Sequence, residues 1–176
     1  MTKTPVSAQY VGVKEVSDRP PGEGPFDSIY EHEFDYVWRS LGRLGVPETD
    51  LGDAVHEVFL VLHRRWNDVD RDRGLRPWLF GVARKVASAA RSKHREVPTE
   101  DIDPPQPVDP LVAQRRLLWR ALAALEDDRR DVIILHDFEG YTGAEIAEQL
   151  DISANTVHSR LRLGRVDLLA EVERLK

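Results

Sequence analysis

The chain of 176 residues has no cysteine, which excludes disulfides, thiolate nucleophiles and Cys-ligated metals. It has no apolar run of the roughly 18 residues needed to span a bilayer. The N-terminal MTKTPVSAQYVGVKEV lacks the apolar core of a secretory signal. These absences suit a cytoplasmic protein of one or two small domains, each able to bury a modest core. A basic excess is missing as well, because the net charge is −6. That is awkward for a nucleic-acid binder, since phosphate attraction supplies most non-specific affinity. The distribution of charge matters more than its sum. From Arg64 to Arg95 there are ten Lys or Arg, whereas Glu96 to Leu111 holds five acids and no base. Such segregation points to local nucleic-acid contact in a chain that binds DNA weakly by itself.

The most informative stretch is Tyr141 to Arg165, YTGAEIAEQLDISANTVHSRLRLGR. Thr142 with Glu145 forms a capping box that starts a helix, and Ile146, Ala147 and Leu150 give it one apolar face. Asp151-Ile152-Ser153 is a tight break, with Ser153 able to cap a second helix. There Val157, Leu161 and Leu168 fall on one side. Asn155, Ser159 and Arg162 fall on the other, flanked by Thr156 and His158. This pattern is a helix-turn-helix whose second helix suits the DNA major groove, where Arg and Asn make bidentate base contacts. The competing reading is an ordinary packed helical hairpin.

Residues 1 to 25, rich in Pro, Gly and charge, read as a disordered tail. Helical periodicity runs from Phe26 to Leu44 and closes at Gly45. A second helix, Asp50 to Trp66, turns Leu51, Val55, Val58, Phe59, Leu62 and Trp66 inward. Its far side mixes Asp53 and Glu57 with Leu60 and Val61. These aliphatics suit either a partner surface or packing beneath another part of the chain. A polar loop, Asn67 to Arg76, leads to Pro77 at a helix N1 position. The third helix, to about Arg95, is expected to bury Trp78, Leu79, Val82, Val86 and Ala90. Arg84, Ser88, Arg91 and Arg95 then line its opposite side, at a spacing that can track a phosphate backbone or form a solvated basic face. That helix supplies no acidic partners for them. A linker with five prolines from Pro98 to Pro110 and only acidic charge follows. Asp109-Pro110 starts the next helix, a further one spans about Asp128 to Phe138, and Gly140 ends it.

Enzymatic and metal patterns fail on inspection. His32-Glu33 and His56-Glu57 open the zinc-protease motif, but Tyr36 and Leu60 stand where its second histidine belongs. Gly42 to Gly45 is no phosphate loop, and no Gly-x-Ser-x-Gly occurs. Asp68, Asp70 and Asp72 alternate like a calcium loop, but Leu79 replaces the closing Glu. No metal, cofactor or catalytic residue is expected.

Two long segments carry a family resemblance. DAVHEVFLVLHRR (Asp53 to Arg65) resembles D-L-V-Q-E-V-F, and PWLFGVARKVASAARSKHR (Pro77 to Arg95) resembles W-L-x-x-I-A-R-N. LAALEDDRRDVIILHDFEGYTGAEIA resembles L-P-x-x-x-R-x-V-x-x-L-x-x-x-E-G-x-S-x-x-E-I-A, and Thr156 to Leu161 resembles T-V-K/R-S-R-L. In this order and spacing, about residues 26–97 and 111–170 resemble a bacterial RNA polymerase sigma factor of the extracytoplasmic-function (ECF) type. The resemblance implies an all-α fold of two small helical bundles, 26–97 (region 2-like) and 111–176 (region 4-like). Linker 98–110 joins them, and the second bundle ends in the helix-turn-helix. It implies no catalysis, and partners that are core RNA polymerase, promoter DNA and, as a further candidate, an anti-sigma factor. Asp53, His56, Glu57, Leu60 and Val61 would dock on the polymerase. Asn67, Asp70, Arg71, Arg76, Trp78, Arg84, Lys85, Ser88, Arg91 and Arg95 would handle the −10 element, with a flipped base captured in the loop. Asn155, Thr156, His158, Ser159, Arg160, Arg162, Leu163 and Arg165 would meet the −35 element. Departures from the family pattern (His56 for Gln, Lys85 for Asn, Ala89 for Asp or Asn, His158 for Lys or Arg, Leu163 for Arg) imply a promoter unlike the family average. The alternative function is a stand-alone helix-turn-helix regulator with an N-terminal sensor bundle.

Overall fold

The computed structural model describes residues 25–69, 74–96 and 109–176, and every regular element among them is helical. The tail to residue 24, the middle of the capture loop (Asp70 and Arg71 included) and most of the linker lie outside the described residues. Seven α-helices follow in order: α1 (Pro25–Arg43), α2 (Leu51–Arg64), α3 (Leu75–Glu96), α4 (Pro110–Ala123), α5 (Asp127–Ile133), α6 (Gly143–Leu150) and α7 (Ala154–Leu175). None is long and apolar enough to cross a membrane. The chain divides after Asp35 into two units. In the first, His32 Nδ1 lies 2.7 Å from the Ser28 carbonyl, and the Tyr30 and Phe34 rings pair at 5.5 Å. All that follows concerns Tyr36–Lys176.

The punctuation residues act where the sequence places them. Gly45 takes φ +87°, a left-handed conformation that costs glycine nothing. This lets Val46 N–H reach Leu41 O and Gly45 N–H reach Gly42 O, both at 3.1 Å, closing α1 as a Schellman turn. Asp109 accepts from Leu111 N–H at 2.8 Å ahead of Pro110, the expected start of α4. α3 begins two residues before Pro77. A proline is tolerated there because first-turn N–H groups have no intrahelical acceptor to lose. Beyond α5 the expected single helix becomes a π turn, Ile134–Phe138, before Gly140 at φ +78°. A π turn carries one extra residue and re-aims the side chains after it.

Two apolar clusters form. α1 and α2 bury Val37, Leu41, Leu44, Leu51, Val55, Val58, Phe59 and Leu62, and α3 packs on α2. On α3 the buried stripe is Leu79, Phe80, Ala83 and Ala87. The expected stripe was right at Leu79 only; Trp78, Val82, Val86 and Ala90 are half-buried. Three consecutive apolar residues leave the inward direction of this helix open. The two small alanines decide it by letting α3 approach α2 closely. In the other cluster, α4, α5 and α6 pack against α7, burying Leu122, Leu125, Val132, Ile133, Ile134, Leu135, Ile146, Val157 and Leu161. Gly164 marks the tightest approach: a Cβ there would stand 2.8 Å from Ile133 Cδ1.

These clusters meet at Arg130, whose residue is 2% exposed. Its guanidinium donates to the carbonyls of Leu122 (3.0 Å), Leu125 (2.7 Å) and Leu44 (3.1 Å) and to Asp127 (2.6 Å). Leu44 lies past α1, so one side chain from α5 ties the first cluster to the second. Nearby, Trp119 of α4 lies over Gly42, where any Cβ would enter the indole ring. Arg130→Met keeps much of the volume and takes a donor from three buried carbonyls, of which Leu44 O retains Arg91 and Leu122 O retains Leu125 N–H. It should lose about 3 kcal/mol of stability, seen as a lower urea midpoint at unchanged m-value.

Candidate nucleic-acid interface

The helix-turn-helix is built as its residues require. Thr142 N–H donates to Glu145 Oε2 at 2.7 Å and Glu145 N–H to Thr142 Oγ1 at 3.3 Å, completing the capping box. The Thr142 N–H, and then the Thr142 hydroxyl donating to the same Oε2 at 2.7 Å, hold the Glu145 carboxyl below its ordinary pKa. Asp151 turns the chain at φ +54°, a conformation short polar side chains accept, and Ser153 caps α7 through Thr156 N–H at 3.1 Å. Val157 and Leu161 are buried as expected, whereas Leu168 is half-buried and Gly164 completes the inward face.

On the outer side Asn155, His158, Ser159 and Arg162 are exposed, and Thr156, Arg160 and Leu163 are half-buried. Among the described residues, Arg162 forms no ion pair or hydrogen bond. Two other arginines of α7 are engaged. Arg160 pairs with Asp128 of α5. Arg165 grips Asp137 with two donors, Nε to Oδ2 at 2.9 Å and Nη2 to Oδ1 at 2.5 Å. That grip holds the Asp137 carboxyl low and raises the Arg165 guanidinium. His136 Nδ1 lies 2.7 Å from the same carboxylate.

The basic side of α3 is less open than its own sequence suggests. Lys85 and Ser88 are exposed. Arg84 pairs with Asp131 of α5 at 2.7 Å, and Arg91 pairs with Asp127 at 2.7 Å while donating to Leu44 O at 2.5 Å. The acidic partners missing from α3 are supplied by another helix. The side chain of Arg95 lies outside the described residues. Asn67 is exposed in a short 3-10 turn, Trp66–Asp68. Arg76 stacks over the Tyr36 ring at 4.9 Å, and its carbonyl accepts from the Tyr36 hydroxyl at 3.3 Å. Trp78 borders a cleft of about 430 Å³ between Asp68, Gly74 and Pro77 on one side and Tyr141, Glu145, Glu148 and Gln149 on the other. Gln149 Nε2 donates across it to Pro77 O at 3.3 Å. On α2, Asp53, His56 and Glu57 are exposed, and Leu60 and Val61 are half-buried.

Residues 115–168 match the protein family described as Sigma-70, region 4. The RNA polymerase sigma factor NccH of Alcaligenes xylosoxydans xylosoxydans is 32% identical over 139 residues, which cover 72% of this chain and 75% of that protein. The ECF RNA polymerase sigma factor SigL of Mycobacterium tuberculosis is 31% identical over 146 residues, covering 76% and 81%. The chain belongs to the ECF RNA polymerase sigma factors. Among solved structures, the sigma factor RpoE of Bartonella quintana, in complex with the anti-sigma factor NepR, shares the fold at TM-score 0.64 and 21% identity. That match covers 84% of this sigma factor and 96% of RpoE. CnrH in complex with the cytosolic domain of CnrY shares it at TM-score 0.61 and 24% identity, covering 85% and 88%. Both likenesses concern the fold alone.

Several residues of this interface carried no sequence signal. Asp127, Asp128 and Asp131 look like a solvated charged turn, and Trp119 like one more apolar residue of α4. The available clue was the family's L-P-x-x-x-R, whose arginine falls on Arg130. Asp131 is strongly perturbed: burial pushes it from 3.8 up to about 6, against the pull of Arg84 and Arg130. Folding raises this pKa, so the favourable contribution is complete below 3.8 and is lost as pH climbs through about 6. Asp131→Asn removes that titration. The stability of wild type relative to the variant should fall by about 3 kcal/mol from about pH 4 to about pH 7, measured by urea unfolding. A pH-independent difference would contradict the buried, ionisable carboxyl.

Proposed function

We propose that this sigma factor binds core RNA polymerase and directs promoter-specific initiation, with residues 111–176 reading the −35 element and residues 26–97 handling the −10 element. The observation that carries the reading is the outer face of α7, where Asn155, His158, Ser159 and Arg162 stand exposed on a capped helix-turn-helix. Arg162 and Asn155 suit bidentate base contacts, Ser159 a single one, and Leu163 a thymine methyl. Thr156 and His158 suit phosphates, and a histidine makes that contact pH-dependent near neutrality. Arg160 and Arg165 would reach phosphates only by leaving Asp128 and Asp137.

Around the −10 element, Asn67, Asp70, Arg71, Arg76 and Trp78 would hold a flipped base, while Arg84, Lys85, Ser88, Arg91 and Arg95 hold the strand. Unstacking a base costs a few kcal/mol, which places the step on the polymerase scaffold rather than on the free chain. Asp53, His56 and Glu57 form the charged rim of the polymerase contact, and Leu60 and Val61 its partly covered apolar centre. An anti-sigma protein is a fitting further partner, given the NepR and CnrY complexes of the structural relatives. The chain works in the cytoplasm, where polymerase is, and performs no catalysis itself.

Run-off transcription with core polymerase and a genomic promoter pool tests this directly. A discrete set of transcripts dependent on the chain is expected. Tight operator binding without polymerase, and no transcripts with it, would favour the stand-alone regulator instead. In the same assay Arg162→Ala should cost about 1–3 kcal/mol and act mainly at one promoter position. Equal loss on every promoter sequence would contradict the groove assignment. Glu57→Ala should weaken polymerase binding in a pull-down titration, leaving binding to −35 duplex unchanged.

A further inference from the structure

Beyond its groove-facing residues, α7 carries an exposed apolar stripe. Val166 is 60% exposed and Leu169 68%, on a helix that buries Val157, Leu161 and Gly164. At 100° per residue, Arg162, Val166, Leu169 and Glu173 fall within about 60° of one another on the outer side. Their steps of four, three and four residues are those of a coiled-coil seam. Val166 stands about 18 Å from the start of α7, whereas a recognition helix touches bases mainly with its N-terminal residues. Duplex reading by Arg162 therefore leaves Val166 and Leu169 uncovered.

We propose that the outer stripe of α7 pairs antiparallel with the same stripe of a second copy of this chain. The order of its residues carries the inference, because it complements itself when reversed. A two-fold axis between Asp167 and Leu168 sets Val166 against Leu169 of the second copy, and Arg162 against Glu173 of the second copy. Symmetry repeats both contacts, so one dimer holds an apolar centre of four side chains between two ion pairs. In the same register Ser159 stands level with Lys176, an uncharged residue against a cation. Among the described residues Arg162 has no ion pair or hydrogen bond within the chain. Glu173 holds Lys176 at 2.5 Å, but that pair is exposed and contributes little. So small an interface makes a weak dimer, formed only as the chain concentrates. Ser159 and Arg162 are proposed above to read the −35 element, and on that reading the dimer and the −35 duplex exclude each other.

Sedimentation equilibrium of the full chain at rising concentration should show monomer and dimer in exchange. Arg162→Glu and Glu173→Arg each set like charges together twice in the dimer and should weaken it about tenfold. Mixed in equal amounts, the two variants should associate about as tightly as wild type, since each offers the charge the other lacks. Arg162 and Glu173 lie about 16 Å apart along α7, too far to meet within one chain. Both variants also keep a net negative charge, so overall attraction cannot produce the rescue. Leu169→Asp alters an exposed position, should keep the helix content and should abolish the dimer. A wild type that stays monomeric throughout overturns the proposal. So does a dimer indifferent to all three substitutions, or a pair of variants that fails to associate on mixing. Monomers from which Leu169→Asp removes only core polymerase binding, in a pull-down titration, assign the stripe to the polymerase and overturn it too. A dimer without run-off transcription leaves the pairing standing and fails the sigma function; run-off from a chain that never dimerises does the reverse.

Discussion

A guanidinium in the interior of a small helical protein has few acceptable environments. Arg130 occupies one in which nearly every donor direction meets an oxygen: three main-chain carbonyls and Asp127. Burial, followed by the nearby charge of Arg91, lowers its pKa, against the smaller opposing pull of Asp127 and Asp131. The carbonyl of Leu44 receives Arg130 and Arg91 together, just beyond α1, where a helix end is rich in unsatisfied oxygens. Arg91 and Arg130 share both Leu44 O and Asp127, so the loss of one is felt by the other. This cluster joins α3, the turn after α1, the end of α4 and α5.

The net charge of −6 then has a physical use. The acids near the arginines are not a diffuse repulsive background but specific partners, one to each of Arg84, Arg91, Arg160 and Arg165. Among the described residues these pairs occupy four of the cations on the helices proposed to meet DNA.

The π turn serves the same arrangement. With one extra residue, Ile134–Phe138 directs Asp137 toward Arg165, and Glu139 just after it meets Arg43 at 2.6 Å, while Phe138 lies under that arginine at 4.5 Å. Burial raises the pKa of Glu139 and lowers that of Arg43, so the pair is desolvated on both sides. An unbroken α-helix would have rotated one of these acids away from its arginine.

Local chemistry was legible in the residues themselves. Thr142 with Glu145, Ser153, Gly45 and Asp109-Pro110 fixed helix ends, because caps and left-handed turns depend on neighbours within four or five residues. The outward face of α7 followed from helical period for the same reason. Sequence alone also determined the family, through motifs spread along the chain. The inward side of α3 did not follow, since Trp78, Leu79 and Phe80 satisfy several rotations and only packing against α2 chooses among them. Nor did the partners of Arg84, Arg91, Arg160 and Arg165, each more than 25 residues away in the chain. Ion pairing acts over a few ångströms of space and carries no periodic mark in sequence, so tertiary structure alone decided which cations are occupied and which, like Arg162, stand free among the described residues.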